Sequence, residues 1–324
     1  MAGQGIAKSV GIWAGGLLLG LSFPYLPKIA APDLATFIGD FPIPDYPFAL
    51  PFLRNSPNAT TSTPEEVPFV CDTTHTYRTE LVSLDPLIIY IHDLLTQTEI
   101  DALLKTAEPK FVRSQVSKYG RQQATSDRTS SSAGLPRTDP AVMCVLNRTR
   151  TFMGTMLRDG WDEMGPPQLV RYGEGEKFNM HHDWYNVPQQ SGDDRLRKWN
   201  RVASFFAILE DACTGGETYF PFAKPITLPS PNGERMWGGD VKPVVTAGEG
   251  SEVEGAEVAA AQPLWREHED GGLAFRPVAS NAIFWVNLHP NATGDVRTHH
   301  AGLPLKSGRK TAMNIWPRQY YAYE

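Results

Sequence analysis

Cysteine is scarce in this 324-residue chain, limited to Cys71, Cys144 and Cys213. No Cys-x-x-Cys occurs, which argues against a structural zinc site and a thioredoxin-like redox motif. Three cysteines allow one disulfide with one thiol left over, and sequence alone does not pair them. Cys71 falls in a proline-rich stretch, whereas Cys144, set among apolar residues, reads as a small core side chain. A basic surplus is also missing: net charge is −6, and Lys and Arg are dispersed. Nothing in this pattern offers an electrostatic footprint to nucleic acid, or to an anionic membrane surface on the folded part. Wholesale disorder is argued against by a composition of 41% hydrophobic and 20% charged residues.

Long hydrophobic runs are absent with one exception. Residues 10–26 carry no charge and lie at the N-terminus. Residues 1–31 read as a signal anchor, or as a signal peptide with Ala30 and Ala31 as small residues beyond its apolar core. Either reading places the remainder on the lumenal or extracellular side. The expectation is the endoplasmic reticulum or another secretory lumen, single-pass and membrane-anchored, or secretion if the segment is cleaved. Residues 32–80 contain Pro42, Pro44, Pro47, Pro51, Pro57 and Pro64. Fixed φ and missing N–H groups make this a stalk or linker. Sequons at Asn58, Asn147 and Asn291 matter only in the secretory pathway.

The folded domain is expected over 81–324. Residues 87–91 read as a strand. Thr96 and Glu99 form a capping box ahead of Ile100, Leu103, Leu104 and Ala107. Pro140 opens a second amphipathic helix with Val142, Val145, Leu146, Thr149, Phe152, Met153 and Met156 on one face. A polar loop is expected at 128–135 between the helices. Short apolar or alternating segments follow at 169–172, 202–209, 273–275, 282–286 and 310–316, separated by Gly, Pro and Asn. Helices first and strands afterwards indicate an α+β, mainly β, domain: an antiparallel sandwich or barrel flanked by N-terminal helices. Residues 224–269, rich in Pro, Gly, Ala and Glu, read as a flexible surface insertion.

His181 and Asp183 stand two apart, so on a strand they share a face while His182 turns away. One more histidine would complete a 2-His-1-carboxylate set with an open side. His-x-Asp alone is a weak signal. His75, His92, His268 and His289 sit in linkers and loops or beside other elements, whereas His299 and His300 lie between two β-like blocks. Lys310 follows, a cation able to hold the far end of a dicarboxylate.

Taken together, Gln168-Leu-Val-Arg-Tyr172, His181-His-Asp183, Asn200-Arg-Val-Ala-Ser204, Gly215-Gly-Glu-Thr218, Asn281-Ala-Ile-Phe-Trp285, Arg297-Thr-His-His300 and Lys310 to Trp316 resemble the catalytic domain of prolyl 4-hydroxylase α subunits. The family belongs to the Fe(II)/2-oxoglutarate-dependent dioxygenases. The resemblance implies a double-stranded β-helix (jelly roll). It also implies metal ligands His181, Asp183 and His300, with His300 chosen over His299 by its ten-residue step to Lys310. Tyr172 and Lys310 would bind 2-oxoglutarate, and Arg201 and Trp316 would line the peptide site, with Thr218 behind them. Arg128-Thr-Ser130 resembles a further family loop. The implied cofactors are Fe(II), 2-oxoglutarate, O2 and ascorbate as reductant, and the implied partner is a proline-containing peptide or protein. Residues 184–200 would form a lid. The competing readings are oxidation of another side chain or of a small metabolite, and a non-catalytic binding module on the same fold.

Overall fold

The computed structural model describes residues 68–118, 121–123, 125–192, 196–226 and 263–321. The apolar N-terminal segment, residues 32–67 of the proline-rich segment and residues 227–262 of the insertion lie outside them. No described helix is long and apolar enough to cross a membrane.

The strand Ala203–Glu210 shows why the domain has three layers. Seven of its eight residues are buried. A strand buried on both faces reads as a continuous apolar run. Phe205, Ala207 and Leu209 point into one cluster with the helical residues Ile100, Leu103, Val142 and Val145. Phe206 and Ile208 point the other way, into a second cluster with Tyr172, Phe220, Phe275 and Trp285. Helices therefore cover one face of a large sheet, and a smaller sheet covers the other.

The large sheet is wholly antiparallel. Its order is Arg78–Leu84, Leu87–His92, Ala282–Val286, Ala203–Glu210, Lys310–Ile315, Gln168–Tyr172, Ser131–Gly134, Val112–Arg113. The smaller sheet runs Trp265–Glu267, Leu273–Phe275, Thr218–Phe220, His300–Gly302, Phe178–His181. Two antiparallel sheets face to face with helices on one outer side constitute the expected double-stranded β-helix.

Both helices start where their caps dictate. In α1, Gln97–Ala107, Thr96 accepts from the Glu99 amide and Glu99 accepts from the Thr96 amide, forming the capping box. Glu99 is also a bidentate partner of Arg148 at 2.7 Å on both arms, tying α1 to α2. In α2, Pro140–Met153, Asp139 accepts from the amides of Ala141 and Val142. Met156, expected on the buried face of α2, lies in the 3-10 turn that follows and is 38% exposed.

Several sequence expectations need correction. The domain begins before residue 81: a strand covers Arg78–Leu84, Phe69 packs against the core, and Cys71 is disulfide-bonded to Cys144. Cys144 is thus a cross-link as well as a buried side chain, and Cys213 is the free thiol. Ser131–Gly134, expected in a loop, is a strand beside Gln168–Tyr172. Its small residues carry little β signal, and the neighbouring ladder supplies the pairing. The expected insertion ends early, because Trp265–Glu267 pairs with Leu273–Phe275 and Leu264 and Trp265 are buried. The expected lid also contains structure: Gln189–Gln190 and Lys198–Arg201 join Pro317–Tyr320 and Glu163–Met164 in a four-stranded sheet.

The Cys71–Cys144 bridge closes a loop with a sequence separation of 73. Constraining a loop of that size in the unfolded chain is worth about 4 kcal/mol in the chain-entropy account. Denaturant unfolding with and without a reductant should show a loss of that order, and an unchanged midpoint would mean that the bridge contributes nothing.

Candidate active site

The smaller sheet brings two histidines together. His300 opens one strand and His181 ends its neighbour, and the two are direct partners in the antiparallel register. Directly opposed residues project to the same side, and the two rings lie 4.3 Å apart between centroids. His181 Nδ1 donates to the Asn179 carbonyl at 2.8 Å, and His300 Nδ1 donates to the Thr298 carbonyl at 2.9 Å. Those bonds set the tautomer and leave each Nε2 as a lone-pair donor, the arrangement typical of metal-ligating histidine. Phe178 stacks on His181 at 3.5 Å, and Phe220 and Trp285 flank His300 at 5.2 and 4.8 Å. Burial pushes both imidazoles below their usual range, so both are neutral and available as ligands.

Asp183 supplies the carboxylate. The strand stops at His181, so the pleat alone does not aim Asp183. Hydrogen bonds do: Oδ2 accepts from Ser204 Oγ at 2.7 Å and from Trp316 Nε1 at 3.0 Å. Burial would raise this carboxyl, but the His300 and His181 rings, Arg201 and the Ser204 hydroxyl outweigh it and hold it below the usual carboxylate range. One ligand atom from each of His181, Asp183 and His300 lies within 4.8 Å of the others. Two neutral imidazoles and one carboxylate fit a divalent metal with open positions, the set associated with non-heme Fe(II).

Two other ligand groupings occur among the described residues. The sulfurs of Cys71 and Cys144 are spent in their disulfide, and His268, Glu269 and Asp270 lie away from the cavity described below.

The neighbouring histidines form a pair of their own. His182 and His299 stack at 4.5 Å, and His182 Nε2 bonds the Val296 carbonyl. The chain therefore sorts its two His-His dipeptides into an inner pair and an outer pair.

A cavity of about 550 Å³ opens beside the inner pair, lined among others by Arg128, Tyr172, Phe178, Arg201, Phe206, Thr218 and Trp316. Tyr172, which lines the cavity, is the direct partner of Lys310 on the adjacent strand. Lys310 is 1% exposed. Its Nζ lies 4.6 Å above the Tyr172 ring and donates to the Gly216 carbonyl at 2.5 Å. It has no carboxylate partner among the described residues, and burial lowers its pKa to about 8. A buried ammonium paired only with neutral groups is costly and suits an anionic ligand. Tyr172 is likewise buried, which raises its hydroxyl pKa. Its phenol therefore stays protonated and can donate.

Arg201 lies between two rings, 3.7 Å from Trp316 and 4.9 Å from Tyr185, and donates to the Asp183 carbonyl at 3.2 Å. Trp316 thus does more than line the cavity, because it also holds the Asp183 carboxylate. Arg128 lines the same cavity, 4.8 Å above the Phe178 ring, and donates to Ser130 and Gln168.

Two supports escaped the sequence reading. Ser204 sits in a strand that reads only as core, and it links Asp183 to Asn287. Trp184 donates to the Asp295 carbonyl at 3.2 Å. A Cβ at Gly294 would lie 2.2 Å from the Trp184 ring, so only glycine lets this loop close over it. The contact joins the Asp183 segment to the segment that carries His300. An Asn-Ala-Thr-Gly run signals a turn, but nothing in it names the tryptophan.

Residues 167–318 match the family model of the 2OG-Fe(II) oxygenase superfamily. The chain is 28% identical over 244 residues to human prolyl 4-hydroxylase subunit alpha-3, covering 75% of this chain and 36% of that protein. It is 26% identical over 245 residues to prolyl 4-hydroxylase 5 of Arabidopsis thaliana, covering 73% and 70%. The chain thus spans about a third of the length of the animal α subunits that it matches. A viral collagen prolyl hydroxylase from Paramecium bursaria Chlorella virus-1 superposes with a TM-score of 0.44 at 19% identity, covering 71% of this chain and 95% of that one.

Proposed function

We propose that this chain is a 2-oxoglutarate-dependent dioxygenase that hydroxylates peptidyl proline, a reading supported by the match of residues 167–318 to the model of the 2OG-Fe(II) oxygenase superfamily. The observation that carries the reading is the juxtaposition in one fold of the His181–Asp183–His300 cluster and the buried Lys310, which faces Tyr172 and has no carboxylate partner among the described residues. A metal site alone would serve many reactions. A metal site beside a buried cation is suited to a dicarboxylate co-substrate.

Fe(II), when bound by these three residues, supplies the oxidising chemistry with O2 and 2-oxoglutarate, and ascorbate serves as reductant. The remaining work falls to the chain. His181 and His300 present Nε2 because their Nδ1 protons are committed to backbone carbonyls. Ser204 and Trp316 hold Asp183 in place. Lys310 holds the distal carboxylate as a point charge, and Tyr172 donates to it. Phe178, Phe206 and Trp285 wall the cavity with apolar surface, which keeps water from the reacting centre. Arg201 and Trp316 line the approach and bind the peptide.

We place the reaction in the lumen of the secretory pathway, with residues 1–31 as anchor or signal. The Cys71–Cys144 bridge supports this reading, since such bonds persist in oxidising compartments and are rare in the cytosol.

The direct test is incubation with Fe(II), 2-oxoglutarate, ascorbate and a panel of proline-rich peptides, scoring succinate and 4-hydroxyproline. Stoichiometric succinate and hydroxyproline are expected. Succinate that no proline peptide stimulates would reassign the substrate to another side chain or a small metabolite. No succinate with iron bound would favour the non-catalytic module.

A further inference from the structure

The cavity holds more positive charge than the proposed co-substrate can neutralise. Arg128 is 8% exposed and uses two of its five N–H donors, on Ser130 and Gln168. Arg201 uses one, on the Asp183 carbonyl. Neither has a carboxylate partner among the described residues. Elsewhere in the fold Arg148 is matched by Glu99, Arg171 by Glu108 and Arg318 by Glu163. The side chain of Asp183 cannot serve, because it is committed to Ser204, Trp316 and the metal position.

Formal charge gives the same result. A divalent metal, Asp183, a doubly charged diacid and Lys310 cancel. Arg128 and Arg201 remain. The one other carboxylate among the cavity's lining residues, Asp127, accepts from the Asn179 side chain at 3.3 Å in an exposed contact. An uncompensated buried charge is destabilising until an anion arrives. A guanidinium fork matches a carboxylate through two parallel bonds. The cavity, at about 550 Å³, has room for more than a five-carbon diacid.

We infer that the preferred substrate is an acidic peptide, with an Asp or Glu carboxylate beside the oxidised residue received by Arg128 and Arg201. This rests on the dioxygenase reading above and names its substrate class.

The test uses the full chain with Mn(II) in place of iron, saturating 2-oxoglutarate, and three labelled proline peptides. The peptides are identical except for Asp, Asn or Lys beside the proline, and binding is read by fluorescence anisotropy. The Asp peptide should bind at least about tenfold tighter than the Asn peptide, the gain of a charge-assisted bond, and the Lys peptide should bind most weakly. High salt should compress the ranking. Arg128→Gln with Arg201→Gln should erase the ranking, and Arg201→Lys should keep part of it. Equal binding of the three peptides by the unmodified chain overturns the inference and needs no variant. So does loss of 2-oxoglutarate affinity in the double variant with the ranking intact, since the guanidiniums would then belong to the co-substrate. Succinate formation with iron is measured in parallel. Its absence with the ranking intact sinks the oxygenase reading alone, whereas turnover with equal peptide binding sinks the acidic preference alone.

Discussion

His300→Ala should abolish metal binding and succinate formation, while His299→Ala should leave both in place. The two residues are chain neighbours with the same side chain, so composition and local propensity do not separate them. Their surroundings do. His300 is opposite His181 in the ladder, its Nδ1 proton is committed to the Thr298 carbonyl, and its other nitrogen belongs to the three-residue cluster. His299 stacks on His182 in the outer pair. Loss of a residue that merely orients a ligand lowers metal affinity by about 10–100-fold, and loss of the ligand itself should exceed that. Titration of each variant with Co(II) by calorimetry measures the difference directly. A His299→Ala chain that fails to bind metal, beside a His300→Ala chain that still does, would mean that the third ligand is misassigned by one residue.

The second large effect has two opposite signs in one substitution. Lys310→Met should stabilise the ligand-free chain and weaken 2-oxoglutarate binding severely. Burial brings the ammonium from its ordinary 10.5 to about 8, a destabilisation of about 3 kcal/mol at neutral pH. Loss of the bond to the Gly216 carbonyl returns about 1 kcal/mol, leaving a net gain of about 2 kcal/mol. The pH dependence follows from the same numbers. Below pH 8 both folded and unfolded chains carry the proton, so the wild-type penalty is complete and constant. Between about 8 and 10.5 only the unfolded chain keeps it. The unfolded state then binds more protons, and wild-type stability rises with pH. The advantage of Lys310→Met should therefore shrink across that window. Thermal unfolding of both chains without ligand, from pH 7 to 10, tests this. With 2-oxoglutarate present the order should reverse. Removing one partner of a buried charged pair costs about 3–5 kcal/mol, and so raises Kd by at least about 100-fold. Equal thermal stability at pH 7 together with unchanged 2-oxoglutarate affinity would remove Lys310 from the site.

Much of the domain was legible because its signals are local. The capping box at Thr96 and Glu99, the proline at 140 and the apolar run around Phe205 need no distant partner to be read. Ser131–Gly134 was not legible, because a strand of small and polar residues gets its conformation from the neighbour that it pairs with. Trp265–Glu267 was obscured by the low-complexity composition of the residues before it. Cys144 had the composition of a core residue, and its bond to Cys71 depends on a chain path over which the sequence has no short-range control.

The site divides in the same way. His181 and Asp183 were legible from their two-residue spacing and Lys310 as a cation beyond the second histidine pair, whereas the choice of His300 and the role of Tyr172 came from the resemblance to the prolyl 4-hydroxylase family. Their supports were legible in neither way. Ser204 behind Asp183, Trp184 against Gly294, and the two arginines left without carboxylates are relations between segments distant in sequence. By itself the sequence determined which groups could do the chemistry and on what kind of fold. The tertiary structure alone decided what holds the carboxylate and which charges remain unmatched. Those are consequences of register, burial and distance, and they come into being only when the two sheets close on one another.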